Sequence, residues 1–441
     1  MTKWSAGYQL LKSSISLVFM LFYKRIKSTG KENIPVGKPI IFAANHQNAL
    51  MDPLGIIFTN PYQTMFLTRA DVFNNPILLK IFTYFKMLPV YRIRDGADSL
   101  KNNERIFNKS AEILEANMSV ALFPEATHTD QRRLRPLKKA VPKIAFLAED
   151  KNNFELDLQI VPVGIYYENY VNSNSDLLIN YGKPINIRKY KEVYNENNQK
   201  GYNAFKGELE DCIKPLIIHI PDEDRIVLYE GIRLLYRSLM LEKLNLKQVD
   251  LKNNFIADQN TIEKMHQYYL KEENNIDELD QNYKQLKSKS KKLKITENNL
   301  RAPGFAELLI KFIGFTIGFP IFVFGLINNY LYYKALLKLL RKVKDPQFYT
   351  SIKFVVALLI APILYLLHSL ILFAITGSGI WAIIYFLSLL FTAYFSNKYR
   401  YAFTAFKENY RIWKYSNSKN KDFLTYKELQ NKLLQEIDKM M

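Results

Sequence analysis

Cysteine is almost missing from this chain: its 441 residues hold one, Cys212. A single cysteine excludes a disulfide framework within the chain and any cluster of thiolate metal ligands. Histidine is scarce as well. Its five copies, His46, His128, His219, His266 and His368, are scattered, and no two have the spacing of a helical zinc motif. Acidic residues fall short of basic ones, 42 against 61, which leaves a formal net charge of +19. That excess favours polyanionic partners: nucleic acid, anionic lipid headgroups or acidic carriers. Nucleic acid has no second signal in its favour. The aromatics lie mostly in apolar runs, and no recognisable binding motif interleaves them with the basic residues. Internal repeats are also lacking.

What the chain does have is long apolar runs, concentrated in its C-terminal third. Residues Phe354–Thr376 are almost unbroken in their hydrophobicity, and after Gly377-Ser378-Gly379 a second run covers Ile380–Phe395. A bilayer-crossing helix needs ~20 apolar residues, with ~17 near the lower limit. The pair therefore reads as a transmembrane hairpin, residues 354–396. Basic residues Lys334, Lys338, Arg341, Lys342, Lys344 and Lys353 precede it, and Lys398 and Arg400 follow it. The positive-inside rule then places both ends, and the soluble domain, in the cytoplasm. Residues 304–333 are apolar too, but Gly318 and Pro320 interrupt them, and basic residues crowd both flanks. A re-entrant hairpin bent at Pro320 is expected there, with a kinked single span as the alternative. His368, inside the main span, reads as a hydrogen-bonding residue facing the helix bundle. At the N-terminus, residues 1–29 contain the short apolar stretch Ile15–Tyr23 followed by Lys24, Arg25 and Lys27. No small-residue cleavage pattern follows, so an in-plane amphipathic helix is expected rather than a signal peptide.

Residues 30–222 alternate between strand-like and helix-like patterns. Strands are expected at Pro39–Ala44, Thr64–Thr68, Met87–Arg92, Ser119–Phe123 and Gln159–Ile165, and helices at Ser99–Asn117 and Leu137–Glu149. Such interleaving argues for an α/β domain with a central, mostly parallel sheet. Residues 223–303 are charged, lack strand alternation and read as a helical insert; residues 397–441 read as a helical tail.

Three strand ends carry the polar residues that matter. The first apolar strand runs out into Asn45-His46, and Asp52-Pro53 follows. Proline favours a first helical turn and aspartate a cap, so Asp52 should cap a helix running from Pro53 towards Asn60. A carboxylate there can meet the His46 imidazole, fix its tautomer and stabilise its positive charge. His46 then suits the role of general base. The second end is Phe123-Pro124-Glu125-Ala126-Thr127, with Arg132, Arg133, Arg135, Lys138 and Lys139 close behind. A third, Val90-Tyr91-Arg92-Ile93-Arg94, supplies arginines, whose forked guanidinium suits phosphate.

In this order, Asn45-His46…Asp52, Val90-Tyr91-Arg92, Phe123-Pro124-Glu125-Ala126-Thr127 and Val161-Pro162-Val163 resemble the four ordered blocks of the glycerolipid acyltransferase family. The resemblance covers about residues 30–190. It implies direct transfer of a fatty acyl group from acyl-CoA or acyl carrier protein to glycerol 3-phosphate or lysophosphatidate, with no cofactor beyond the acyl donor. His46 and Asp52 would be catalytic. Asn45, Arg92, Phe123, Pro124, Glu125, Ala126 and Thr127 would line the substrate site. Membrane lipids, the acyl carrier and the phosphorylated acceptor would be the partners, with no nucleic acid. Five residues separate His46 from Asp52, where the family usually has four; in this the chain is similar to the yeast-type glycerol-3-phosphate/dihydroxyacetone-phosphate branch. Ala126 stands where the family normally has glycine. A catalytically weak or silent relative that tethers membranes is the alternative, although His46 and Asp52 are both present.

Overall fold

The computed structural model describes residues 4–73, 76–91, 99–125, 131–271 and 276–441. These fall into two compact units, Met1–His219 with Val343–Phe354, and Ile220–Lys342 with Val355–Met441.

The first unit is built on a sheet of β1 (Arg25–Thr29), β2 (Ile40–Ala44), β3 (Met65–Arg69), β4 (Met87–Val90), β5 (Ser119–Leu122), β6 (Gln159–Tyr167), β7 (Asp176–Tyr181) and β8 (Ile185–Asn186). The strand order is β1-β7-β6-β2-β5-β3-β4, with β8 also on β6. Strands β2 to β6 run parallel to one another, whereas β7 and β8 run antiparallel to β6. The expected mostly parallel α/β sheet is thus present. All of β2 and β6 is buried, which is why both read as continuous apolar runs rather than alternating ones.

Helices α1 (Ala6–Phe22), α2 (Met51–Thr59), α3 (Pro76–Tyr84), α4 (Ser99–Glu115), α5 (Ala140–Lys151), α6 (Lys191–Glu196) and α7 (Asn198–Ile213) pack around it. Ile41 and Ala43 project from one side of β2 into a core with Ala111, Leu114, Ile144 and Phe205. Phe42 projects the other way and meets the Tyr181 ring edge-on at 6.0 Å. On β6, Gly164 is needed because a Cβ there would run into the backbone oxygen of Leu216.

Two readings of the N-terminal region change. Residues Arg25–Thr29 are not the tail of an appended segment but an edge strand, parallel to β7, with Arg25 paired to Asp176 at 2.6 Å. Their sequence, Arg-Ile-Lys-Ser-Thr, has too few apolar residues to announce a strand. Helix α1 does expose Leu10, Leu17 and Met20, as an interfacial helix would, but it also buries Tyr8 and Phe19. Lys12 donates to the carbonyls of Asn60 and Tyr62, both at 2.9 Å, and burial pushes its ammonium pKa down to about 8.

The second unit is helical: α8 (Ile226–Lys243), α9 (Leu251–Lys271), α10 (Ile276–Leu293), α11 (Phe305–Asn328) and α12 (Tyr330–Leu340). Helix α13 (Tyr349–Val355) and helix α14 (Ala361–Thr376) join through a π-helical stretch at Val356–Ile360; α15 (Gly379–Asn417) and α16 (Lys421–Asp438) follow. Among the described residues, three helical runs are long and apolar enough to cross a membrane: Phe305–Asn328, Pro346–Thr376 and Gly379–Asn417. The hairpin turn expected at Pro320 is not there. Helix α11 continues through that proline, and the break comes at Asn329. The glycine at 325 is a packing residue rather than a helix breaker. A Cβ on Gly325 would collide with Ser396 Oγ and Thr392 O of α15, so α11 and α15 approach through it. His368, expected to hydrogen-bond within the bundle, has no partner for Nδ1. It lines a hollow of about 320 Å3 with Asn328 and Tyr385.

Candidate active site

Register brings the polar strand ends together. In the parallel ladder Ala43 lies beside Leu122 of β5 and Ala44 beside Val163 of β6. The chains leaving β2 and β5 therefore emerge side by side at the carboxyl end of the sheet, where open α/β sheets place their sites. Asn45 is buried and bridges to β6: its Oδ1 accepts from Ile165 N at 2.7 Å and its Nδ2 donates to Ile165 O at 3.1 Å. This fastens the loop that presents His46.

Asp52 does not cap its helix as expected. The N-cap residue is Leu50, and Asp52 sits in the first turn of α2 with its carboxylate turned back over the preceding loop. The carboxylate is fully buried and accepts four hydrogen bonds. Oδ2 takes the His46 ring at 2.7 Å, Gln47 N at 2.7 Å and Asn48 N at 2.8 Å, and Oδ1 takes the Tyr167 hydroxyl at 2.8 Å. An ionised carboxylate only accepts, so His46 Nδ1 is the donor and the lone pair of the neutral ring lies on Nε2. The ring is stacked on Phe123, with centroids 4.2 Å apart and planes 15° apart.

Glu125 ties the two loops to each other. One carboxylate oxygen accepts from His46 N at 2.9 Å and the other from Arg135 N at 3.1 Å. Burial dominates its titration and pushes its pKa up to about 7, against the pull of those two backbone donors. Pro124 is fixed in the same turn, its carbonyl accepting from Lys138 N at 2.7 Å.

Tyr167 is not singled out by the sequence, and Arg132 is placed there only within a run of basic residues. Tyr167 ends an apolar strand and its only signal was a polar tip at the strand's last residue. Burial and the Asp52 charge hold its phenol well above the usual tyrosine range, so it stays a donor. Arg132 reads from sequence as one of a phosphate-binding cluster, yet its guanidinium is turned inward. It donates to Tyr167 O at 2.7 Å and Glu168 O at 3.0 Å and lies over the rings of Tyr166 and Tyr170. Arg92, Ala126 and Thr127, expected in the substrate site, and also Arg94 and His128, lie outside the described residues. A surface hollow of about 810 Å3 between β4 and α4, lined by Leu88, Tyr91, Lys101 and Arg105 among others, includes neither His46 nor Asp52.

Residues 25–166 match the family model described as Acyltransferase. The chain is similar to glycerol-3-phosphate O-acyltransferase 2 of Saccharomyces cerevisiae, 26% identical over 400 residues, which is 82% of this chain and 50% of the yeast protein. This chain thus spans about half the length of that relative. It is also similar to a 1-acyl-sn-glycerol-3-phosphate acyltransferase of Borreliella burgdorferi, 25% identical over 198 residues, covering 43% of this chain and 74% of the relative. Among solved structures, the 1-acyl-sn-glycerophosphate acyltransferase of Thermotoga maritima matches with a TM-score of 0.34 and 19% identity, over 46% of this chain and 80% of that one.

Proposed function

We propose, from the match of residues 25–166 to the Acyltransferase family model and the likeness to glycerolipid acyltransferases, that the chain transfers a fatty acyl group from acyl-CoA or acyl carrier protein to the hydroxyl of glycerol 3-phosphate or lysophosphatidate at a membrane. The observation that carries the proposal is the His46–Asp52 pair at 2.7 Å, with the carboxylate buried and saturated by donors. The Nε2 lone pair takes the proton of the acceptor hydroxyl as its oxygen attacks the thioester carbonyl carbon. The tetrahedral intermediate then collapses, the carbon–sulfur bond breaks, and the leaving thiolate takes the proton back from the imidazolium. Asp52 holds the ring's tautomer and offsets its transient charge throughout. A positioned base of this kind is worth roughly 10²–10⁴-fold in rate.

In this reading Phe123 packs the imidazole into its working plane, and Asn45 and Glu125 hold the loops that carry it. Arg92, Ala126 and Thr127 meet the phosphorylated acceptor. The two apolar runs of the hairpin at residues 354–396 cross the membrane, with the catalytic unit on the cytoplasmic side, where acyl-CoA and acyl carrier protein are found. Support for the membrane setting comes from the length and hydropathy of those runs and the basic residues flanking them. Support for the acceptor class comes from the names of the two relatives above, which differ between glycerol 3-phosphate and its 1-acylated form.

The test is transfer of a labelled acyl group by wild-type and Arg92→Ala protein at varied acceptor and donor. The acceptor KM should rise about tenfold or more while the donor KM stays near wild type, as expected when one charge-assisted phosphate contact is removed. Equal changes in both would remove Arg92 from the acceptor site.

A further inference from the structure

The loop between His46 and Asp52 is held from a distant part of the chain. Residues 47–50 turn tightly: Met51 N bonds back to Asn48 O at 2.8 Å, and Ala49 is forced to a φ of 39°, a left-handed conformation that costs a residue with a Cβ. Gln47 N and Asn48 N are taken by the Asp52 carboxylate. Leu50 N, in the same turn, donates to Ser351 Oγ at 3.2 Å, some three hundred residues further on. The contact is not isolated. Ser351 is buried, and its neighbour Thr350, wholly buried, donates to Tyr170 O, the carbonyl that also accepts from Asn48 Nδ2 at 3.2 Å. Lys353 Nζ donates to Val171 O at 2.7 Å. Phe354, 1% exposed, closes the row with edge-on contacts to the rings of Phe19 and Phe22 of α1.

We propose that residues 350–354 are a positioning strap for the catalytic loop, with Ser351 holding the turn between His46 and Asp52 in the shape that delivers the imidazole. The inference rests on the acyltransferase reading for its kinetic consequence, but not for its structural one. The strap is the first part of the helical run Pro346–Thr376, so the chain that secures the catalytic turn is the same chain that continues into an apolar span. Residues 25–166, the part matching the family model, lack the acceptor for Leu50 N. The acyltransferase unit is therefore completed only when the chain returns after the helical insert.

The experiment uses the full-length chain in membranes or detergent, with Ser351→Ala, Ser351→Thr and Lys353→Met. Three quantities are read: kcat and KM for labelled acyl transfer, the thermal unfolding midpoint, and hydrogen–deuterium exchange of peptides spanning residues 47–52. Removing the acceptor of one buried amide should lower kcat about tenfold in Ser351→Ala. KM and the unfolding midpoint should stay near wild type, exchange at 47–52 should speed up, and Ser351→Thr should restore both. Lys353→Met should give the same pattern more weakly. Wild-type kcat with unchanged exchange in Ser351→Ala overturns the strap. So does a fall in kcat accompanied by a matching fall in the unfolding midpoint and no rescue by threonine, since that is a folding defect. Should wild-type protein transfer to no acceptor, the acyltransferase reading fails and the exchange comparison alone decides the strap.

Discussion

At the scale of single residues, chemistry is concentrated in one buried carboxylate and what feeds it. Asp52 gathers an imidazole, two backbone amides and a phenol. Tyr167→Phe removes the phenol and should lower kcat about three- to tenfold with little change in KM, the expected loss of one hydrogen bond to a charged group; steady-state kinetics at saturating donor check it. Glu125 carries the pH dependence. Its carboxyl is raised from 4.5 to about 7 by burial, so folding favours its protonated form. The stability it contributes is complete below pH 4.5 and is lost as pH rises through about 7. Thermal unfolding of the wild type should therefore show a decline between those limits that is missing in Glu125→Gln. The same substitution should reduce transfer, because an amide offers one acceptor oxygen where the carboxylate serves both His46 N and Arg135 N. The pairing of His46 with Asp52 was expected from an apolar strand ending in a histidine and an aspartate near a helix start, taken together with the resemblance of the ordered blocks. The manner of contact was not. Sequence pointed to Asp52 as a helix cap, whereas the tight turn at Ala49 makes Leu50 the cap and frees the carboxylate for the imidazole.

At the scale of elements, apolar periodicity located β2, β3, β4, β5 and β6 and the helices α4 and α5 because these bury contiguous hydrophobic faces. It missed β1, β7 and β8. The first is short and polar, β7 follows the turn-rich stretch 169–175, and β8 is two residues long; pairing with neighbours, not local composition, makes them strands. Pro320 misled for a related reason. A proline removes one helical hydrogen bond and crowds the preceding turn, yet α11 stays helical through it and packs closely on α15 at Gly325. Gly325→Leu should accordingly separate this pair and destabilise the second unit by about 1–3 kcal/mol, the usual cost of overpacking; a lower thermal midpoint in detergent is the expected result, and an unchanged midpoint would mean the two helices do not depend on that close approach.

At the scale of the whole molecule, a sheet-containing unit and, among the described residues, three apolar helical runs share one chain, and the net charge of +19 favours anionic partners such as acidic lipid surfaces. The protein should stay with membranes through an alkaline carbonate wash and leave them only in detergent. What composition and order of blocks conveyed was the resemblance to an acyltransferase; the acceptor was not legible, because blocks that give residue types at Arg92, Ala126 and Thr127 give no pocket shape. The most direct measurement of the central claim is transfer of labelled acyl groups by membranes containing wild-type or His46→Ala protein, offered glycerol 3-phosphate and lysophosphatidate in parallel with each donor type. The account predicts label on one of the two acceptors with the wild type and a loss of roughly 10²-fold or more in the variant. Transfer that persists in a folded His46→Ala protein would contradict it.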